Sequence, residues 1–161
     1  MHDVHNSFDP ATMLQVKHIT EVTDANRELL LRAEPVHREL RPQLDAAYLD
    51  QLAGIFQDHG ELVVAMDANN AVVGIALFHV YRDTFSGRKL YVDDLVTTSA
   101  RRSQGVGRTL LTWLKQEAAR RHTTHVILDS GVQRSNAHRF YFREGLTIVG
   151  FHFSTPTDDS E

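Results

Sequence analysis

The sequence predicts a single α/β (α+β) domain, on three observations. The chain has 161 residues, which suits one domain at about 150 residues per domain. Apolar residues make up 42% and charged residues 24%, as in ordinary soluble globular proteins, which excludes a disordered or fibrous chain. Strand-like and helix-like segments alternate along the chain without an internal repeat. We therefore expect one domain over residues 1–161, with its core over residues 14–153.

The charge balance and the absent residue types exclude several classes of function. Lys and Arg number 17 and Asp and Glu 21, a net charge of −4, so no nucleic-acid partner is expected. The absence of cysteine excludes disulfides, thiol nucleophiles and cysteine-bound zinc. No apolar run approaches the roughly 20 residues of a membrane helix. Residues 1–10 lack the apolar stretch of a signal peptide, so we expect a cytoplasmic protein with no membrane partner.

The first elements follow from local patterns. Residues 14–19 alternate between apolar and polar side chains, as a strand does. Thr23 or Asp24 can cap the helix that follows. Two prolines interrupt residues 34–43 and predict a broken helix or a loop. Residues 44–56 then carry one apolar stripe and predict a second helix.

A hairpin and a further strand occupy the middle of the chain. Residues 61–66 and 71–81 read as two strands joined by the turn-forming sequence Asp-Ala-Asn-Asn. Residues 83–89 are polar and predict a loop, and residues 90–97 form the fourth predicted strand.

The last third of the chain again alternates between helix-like and strand-like segments. Apolar residues of 106–121 fall on one helical face, and residues 125–129 form a short buried-type strand, the fifth. Residues 136–144 predict a helix that ends at Gly145, a common left-handed stop. Residues 146–153 predict a last strand or strand pair.

The turn between the fourth strand and its helix reads Arg102-Ser103-Gln104-Gly105-Val106-Gly107-Arg108. Glycines let a ligand approach the backbone, and the unpaired N–H groups at a helix start attract anions. The turn therefore suits a pyrophosphate, although a plain strand-to-helix turn with solvated arginines has the same sequence features. It is neither a P-loop, since Gly-Lys-Ser/Thr is absent, nor a dinucleotide fingerprint, since the third glycine is missing.

Two spaced motifs carry a resemblance to a known family. Arg102-x-x-Gly105-x-Gly107 follows the strand that contains Asp93-Asp94-Leu95-Val96, and Asn136-x-x-x-Phe140-Tyr141-x-x-x-Gly145 lies 34 residues downstream. Together they resemble the GCN5-related N-acetyltransferase (GNAT) superfamily and its branch of small-molecule amine acetyltransferases. The helix before Gly145 further resembles aminoalkylphosphonate acetyltransferases.

The resemblance implies a mixed, strongly twisted sheet whose fourth and fifth predicted strands splay apart around acetyl-CoA, the co-substrate. It also implies that a homodimer could form through residues 146–153. No histidine pair has the His-Glu-x-x-His arrangement of a zinc enzyme, so no metal is predicted. Either Arg101 or Arg108 would meet the 3′-phosphate. The implied cofactor-binding residues are Leu95, Val96, Thr97, Arg102, Ser103, Gln104, Gly105, Val106, Gly107, Arg108 and Asn136.

Tyr141, Asp93 and Asp94 are the candidate catalytic residues. Tyr141 matches the tyrosine that the family places near the sulfur, although a packed helix aromatic is the alternative. Asp93 and Asp94 are adjacent on a strand, so they are expected to point to opposite faces, with only one facing the acceptor. Family position favours Asp93, and Asp94 has the alternative role of a structural hydrogen-bond acceptor. His79 lies on a strand that could border the same cleft.

The expected activity is acetyl transfer from acetyl-CoA to a primary amine of a small molecule, by direct attack in a ternary complex. A protein lysine or N-terminal acetyltransferase is an alternative that would need a wide acceptor groove. A non-catalytic acyl-CoA-binding module is another, although it would be expected to lack Tyr141 and the cleft acid. Polyamines, aminoglycosides, aminophosphonates and amino acid derivatives all fit as acceptors.

Overall fold

The structure, a computed structural model, describes the backbone of residues 7–9 and 13–157 and the side chains of residues 13–157. The chain divides into two compact units, Met1–Leu128 and Asp129–Glu161. In the described residues, the first unit holds a six-stranded sheet with three α-helices, and the second holds one α-helix.

The sheet of the first unit is mixed. Its strands lie in chain order, and every neighbouring pair is antiparallel except the last, which is parallel. One strand precedes the first predicted strand, so the fourth and fifth predicted strands are β5 and β6. The strands are β1 (Ser7–Asp9), β2 (Leu14–Ile19), β3 (Gly60–Met66), β4 (Val72–Asp83), β5 (Gly87–Thr97) and β6 (His125–Leu128).

Helices cover both faces of this sheet. On one face, α1 (Arg27–Leu40) and α2 (Tyr48–Gln57) share a core cluster with β2, β3, β4 and β5. On the other face lies α3 (Val106–Arg120), whose Trp113 ring is 5.9 Å from the ring of Phe78 on β4. A short 3-10 turn, Ser99–Arg101, joins β5 to α3. The alternation of buried side chains along β4 therefore sends Leu77 toward α1 and α2, and Phe78 toward α3.

The first helix corrects the expectation of a break over residues 34–43. α1 continues to Leu40 with Pro35 inside it. A proline within a helix removes one hydrogen bond and costs roughly 3 kcal/mol. Val36 and His37, which follow the proline, are buried. Burial of this last stretch against the sheet offsets the cost, so tertiary packing keeps a helix that local propensity would end.

The expected loop over residues 83–89 is a tight hairpin instead. β4 runs to Asp83 and β5 starts at Gly87, which has a positive φ of 68°. The Asp83 carboxylate accepts the backbone N–H of Ser86 at 2.6 Å and binds Lys89 Nζ at 2.5 Å. These contacts fold the polar segment back on itself and extend both strands. The predicted second helix also begins four residues late, at Tyr48.

The second unit contains α4 (Ser135–Arg143), followed by Gly145 in the left-handed region at φ 85°. Both features agree with the sequence prediction. The strand expected over residues 146–153 is wrong, because residues 146–157 adopt no regular structure. A strand needs a neighbour to complete its hydrogen bonds, and the described part of this unit offers none. The alternating Val149, Phe151 and Phe153 are exposed.

Candidate active site

The C-terminal half of β5 has a neighbouring strand on one side only. β6 pairs with β5 from Lys89 to Val92 only, and the last pair is Val92 with Leu128. From Asp93 to Thr97 the β6 side of β5 faces no strand in the described part of the chain, while β4 holds the other side. Leu95, Val96 and Thr97 lie in this stretch. The backbone there can therefore accept an extended ligand in place of a neighbouring strand.

The glycine turn leads from this open edge into α3. Ser103 and Gly105 both have positive φ, 61° and 85°, and Gly105 is the residue before the helix. No side chain caps α3, so the N–H groups of its first turn are left for another acceptor. Arg102, Ser103, Gln104 and Arg108 are exposed around the turn. This geometry fits an anion.

A glycine on β4 brings the start of α3 close to the sheet. A Cβ on Gly74 would lie 2.6 Å from Val106 Cγ1 and 3.1 Å from the Val96 backbone oxygen. Only glycine therefore allows α3 to begin this near the open part of β5. The sequence pattern does not reveal Gly74 as a site residue, because it lies in an ordinary apolar strand.

Two acidic side chains hold the segment between β5 and α3. Glu39 of α1 accepts the Thr98 hydroxyl at 2.7 Å and the Ser99 N–H at 2.8 Å. Asp67, in the β3–β4 turn, binds Arg101 Nη2 at 2.9 Å. Arg101 is thus tied to the β3–β4 turn next to the glycine turn.

A β-bulge in β5 changes the directions expected for the two aspartates. Asp94 pairs with Leu77 and Val92 with Phe78, so Asp93 is an extra residue opposite neither. The extra residue shifts the alternation by one. Asp93 and Asp94 consequently both lie on the face covered by α1 and α2. The expectation of opposite faces is wrong, because it assumed a regular strand.

Asp93 pairs with a histidine on the neighbouring strand. His79 Nδ1 lies 2.6 Å from Asp93 Oδ2, and a third of the Asp93 side chain is exposed. A Cβ on Gly60 would lie 3.1 Å from His79 Nε2, so glycine at this position leaves room for the imidazole. Burial, helped by the nearby Asp94 charge, raises the pKa of Asp93 although the His79 contact opposes this. The carboxylate is therefore a stronger base than a solvated aspartate.

Asp94 lies at the centre of a buried network. Its Oδ2 is 2.8 Å from His37 Nε2, and its Oδ1 accepts from Arg41 Nε at 2.7 Å. His37 is fully buried, and its Nδ1 lies 3.0 Å from the Tyr48 hydroxyl. Burial alone would raise the pKa of Asp94, but the hydrogen bonds from His37 and Arg41 outweigh it and lower the pKa. The contacts with His37 and Arg41 are those of a structural hydrogen-bond acceptor, the alternative role considered for Asp94.

Tyr141 and Asn136 belong to the second unit, on α4. The Tyr141 ring lies 5.4 Å from the ring of Phe140, and burial raises the pKa of its hydroxyl. His138 Nε2 lies 2.9 Å from the Gly131 carbonyl oxygen, and His152 Nδ1 lies 2.8 Å from Asp129 Oδ2. Within the described residues, no three potential ligands are grouped as a metal would require.

A comparison with protein families places this architecture. The model of the acetyltransferase (GNAT) family matches residues 23–145, most of the chain. The chain belongs to the GNAT acetyltransferase family. The resemblance read from the two motifs is thus confirmed, as is the mixed α/β fold, and the protein is an acetyltransferase.

Individual relatives of this acetyltransferase are also named as N-acetyltransferases. An uncharacterized N-acetyltransferase, YhdJ of Bacillus subtilis, is 32% identical over 89% of this chain and 99% of its own length. The aminoalkylphosphonate N-acetyltransferase of Salmonella typhimurium is 29% identical over 91% of this chain and 93% of its own length. Among solved structures, an aminoglycoside N-acetyltransferase, AAC(6')-Iy in complex with CoA, superposes with a TM-score of 0.76. It is 15% identical and covers 89% of this chain and 94% of its own.

Sequence reasoning missed several residues of this site. His37 and Arg41 lie more than 50 residues from Asp94, and no local pattern joins them. The sequence places His79 on a strand that could border the cleft, but it does not predict the contact with Asp93. A tight turn between Asp83 and Gly87 pairs His79 with Tyr91, two residues before Asp93. Because residues 83–89 were expected to form a loop, this register was not predicted.

Proposed function

We propose that this GNAT acetyltransferase transfers an acetyl group from acetyl-CoA to a primary amine of a small molecule, by direct attack in a ternary complex. The observation that carries the proposal is the Asp93 carboxylate, which a histidine holds at the bulge where the open edge of β5 begins. The named activities of the aminoalkylphosphonate and aminoglycoside acetyltransferase relatives support a small-molecule acceptor. We expect residues 1–161 to act as one domain.

Acetyl-CoA would be held by two features that fit it. The open backbone of Leu95, Val96 and Thr97 can hydrogen-bond an extended pantetheine arm, and the uncapped start of α3 can bind the pyrophosphate. When bound, acetyl-CoA supplies the acetyl group as a thioester. Asn136 is proposed as a further contact on the strength of its motif position, and no metal is expected.

Asp93 is proposed to bind the ammonium form of the acceptor and to take its proton. An amine attacks a carbonyl carbon only through a free lone pair, so deprotonation must precede or accompany attack. The raised pKa of Asp93 favours this transfer, because a stronger base gains more from accepting the proton. His79, hydrogen-bonded to Oδ2, orients the carboxylate. Asp94 is proposed to act through position rather than by touching the acceptor.

Tyr141 is proposed as the acid that protonates the leaving thiolate. Its raised pKa keeps the hydroxyl protonated at neutral pH, which is the form that can donate. The Tyr141→Phe variant keeps the ring and removes the donor. We expect kcat to fall by roughly 10²-fold, the usual scale for a lost general acid, with little change in the KM for acetyl-CoA. A near wild-type kcat, with chemistry shown to be rate-limiting, would remove Tyr141 from the mechanism.

We also propose a cytoplasmic homodimer. In the described residues, no helix is long and apolar enough to cross a membrane. Val149, Phe151 and Phe153 recur at every second position near the C-terminus, and the Phe151 side chain is 84% exposed. Association with a second copy would bury this apolar surface. Light scattering after size-exclusion chromatography would give the mass, and a monomer at micromolar concentration would contradict the dimer.

The central experiment is a panel of amines assayed for CoA release with acetyl-CoA. The panel holds aminoalkylphosphonates, aminoglycosides, polyamines, amino acid derivatives and a lysine-containing peptide. We expect turnover with at least one small amine. Turnover of the peptide alone would favour a protein acetyltransferase, and binding of acetyl-CoA without any turnover would favour a non-catalytic module.

The anion site is tested separately by calorimetry. Gly105→Glu places a bulky acid where the phosphates would lie, so we expect acetyl-CoA binding to be lost. Any side chain at this left-handed position costs about 1 kcal/mol of strain. Gly105→Asn is the matched control, because asparagine tolerates this backbone region and adds no charge. Unchanged affinity in a folded Gly105→Glu variant would contradict the anion site.

A further inference from the structure

Arg41, the first residue after α1, contacts both aspartates of the β5 bulge. Its Nε donates to Asp94 Oδ1 at 2.7 Å, and Nη2 lies 2.7 Å from the same oxygen. Nη2 also donates to the backbone oxygen of Asp93 at 3.3 Å. A bulge leaves its extra residue out of the regular ladder. Arg41 therefore supplies a side-chain contact to the one residue of β5 that has no strand partner.

A buried chain of hydrogen bonds fixes the carboxylate that Arg41 holds. The Asp94 carboxylate only accepts, so His37 Nε2 carries the hydrogen in their 2.8 Å contact. His37 Nδ1 lies 3.0 Å from the Tyr48 hydroxyl. Burial raises the pKa of Tyr48, followed by the effect of the Glu34 charge, so that hydroxyl keeps its proton. Asp94 cannot rotate away, and Arg41 is the cation that balances its charge.

The surroundings of Asp93 make this balance important. The titratable and charged groups that face it from the surrounding elements are His79 from β4, His37 from α1, Arg41 just after α1, Tyr48 from α2, and Asp94 and Tyr91 from β5 itself. Glu34 and Arg38 of α1 act on Tyr48 through their charges. The Asp94 charge contributes to raising the pKa of Asp93. Without the positive charge of Arg41, the negative charge of Asp94 would disfavour the ionised form of Asp93 further, because like charges repel.

We propose that Arg41 is a positioning residue for acetyl transfer, one that holds the Asp93 backbone at the bulge and balances Asp94 so that Asp93 ionises and accepts the proton of the amine. This inference rests on the proposed function of Asp93. Arg41 touches neither the acceptor nor acetyl-CoA in this role. Because its side chain is 42% exposed, it can be replaced without opening the core.

The test is a titration of the Asp93 carboxyl by NMR, in protein labelled with carboxyl-¹³C aspartate and without any ligand. The Asp93→Asn variant identifies the signal. In Arg41→Gln we expect the Asp93 midpoint to move to higher pH. Arg38→Gln is the matched control, because Arg38 lies on the same helix but binds Glu34 and the carbonyl oxygens of residues 44 and 45. Arg38→Gln should leave the Asp93 midpoint in place. An unchanged Asp93 midpoint in Arg41→Gln would overturn the proposal.

Two more variants separate charge from general loosening. Asp94→Asn should move the Asp93 midpoint to lower pH, and the double variant Arg41→Gln/Asp94→Asn should cancel the rise seen with Arg41→Gln alone. Arg41→Lys keeps the charge, so its midpoint should stay closer to wild type than that of Arg41→Gln. A double variant that keeps the raised midpoint would overturn charge balance as the cause.

The activity measurement distinguishes this inference from the proposed function. We expect Arg41→Gln to shift the acid limb of the kcat/KM profile upward, measured with the fastest amine of the panel. If Asp93→Asn leaves that acid limb in place, the proposed role of Asp93 fails, and the inference fails with it. If Asp93→Asn removes the limb but Arg41→Gln moves neither limb nor NMR midpoint, only the inference fails.

Discussion

The two faces of the sheet place their charged groups differently. On the α3 face Glu61 accepts from Arg121 at 2.5 Å and 2.6 Å and contacts His18, whose ring lies against the Phe78 and Trp113 rings. On the face of α1 and α2, an ion pair and a histidine lie within the packed region, with His37 fully buried and Asp94 nearly so. The ion pairs of the α3 face include two guanidinium groups, Arg120 and Arg121, that keep part of their surface exposed, whereas His37 has no exposed surface.

This difference separates stability from chemistry. Burying charged groups is costly, and well-packed apolar residues would often stabilise a core as well or better. On the α3 face, Glu61 and Glu117 are each paired with Arg121, which reaches solvent. On the other face the buried charges lie beside the bulge that carries Asp93, where we propose that they have a positioning role. Changes on the two faces should therefore have different signatures in unfolding and in turnover.

The largest expected effect comes from breaking the buried network. Asp94→Ala leaves the His37 N–H without its acceptor inside the core and removes the partner of Arg41. We expect the free energy of unfolding to fall by about 3 kcal/mol, the scale of a broken buried pair, as measured by urea denaturation. Asp94→Asn, which keeps an acceptor oxygen, should cost less. A loss below about 1 kcal/mol in the alanine variant would show that the network is not a stabilising core element.

The adjacent carboxylate should behave in the opposite way. Asp93→Asn keeps an acceptor for His79 but removes the base, so we expect kcat/KM to fall about 10²-fold, or about 2.7 kcal/mol of barrier. Stability should not fall at neutral pH. Because burial raises the pKa of Asp93 in the fold, the acidic side chain contributes stability at low pH that is lost as pH rises through the folded-state pKa. If Asp93→Asn is destabilised but keeps normal turnover, Asp93 is a structural residue, and its proposed role as the base is contradicted.

Sequence reasoning reached the features that depend on local patterns. The apolar stripe predicted α3, the alternation predicted β2, and Gly105 and Gly145 stand at left-handed positions where only a permissive residue is comfortable. The two motifs were sufficient for the family. Each helix, strand and turn signal lies within about 15 residues, and the family signal consists of two short motifs 34 residues apart. Such signals can be read from a single sequence.

The missed features depend on contacts between distant residues. The bulge at Asp93 is visible only when β4 and β5 are paired, and it reversed the expected direction of one aspartate. The Tyr48–His37–Asp94 chain needs three elements in place. α1 passes Pro35 because the packing of Val36 and His37 outweighs a local rule. The catalytic role of Tyr141 and the contact of Asn136 stay predictions for the experiments above.

The smallest expected effect lies at Glu61 on the α3 face. Burial alone would raise the pKa of Glu61, but hydrogen bonds from His18 and Arg121 outweigh it and lower the pKa to about 2. A carboxyl with a lowered folded-state pKa adds stability above its unfolded value, near 4.5, and loses it as pH falls toward 2. Glu61→Gln should therefore cost about 2 kcal/mol at pH 7, the scale of hydrogen bonds to a charged group, and the difference from wild type should shrink between pH 4.5 and 2. Glu28→Gln, at an exposed acid of α1, is the control and should leave the unfolding curve in place. Turnover should be unchanged in Glu61→Gln, since the α3 face carries no acceptor contact in the proposed mechanism. A Glu61→Gln variant that loses activity before it loses stability would show that the two faces are coupled.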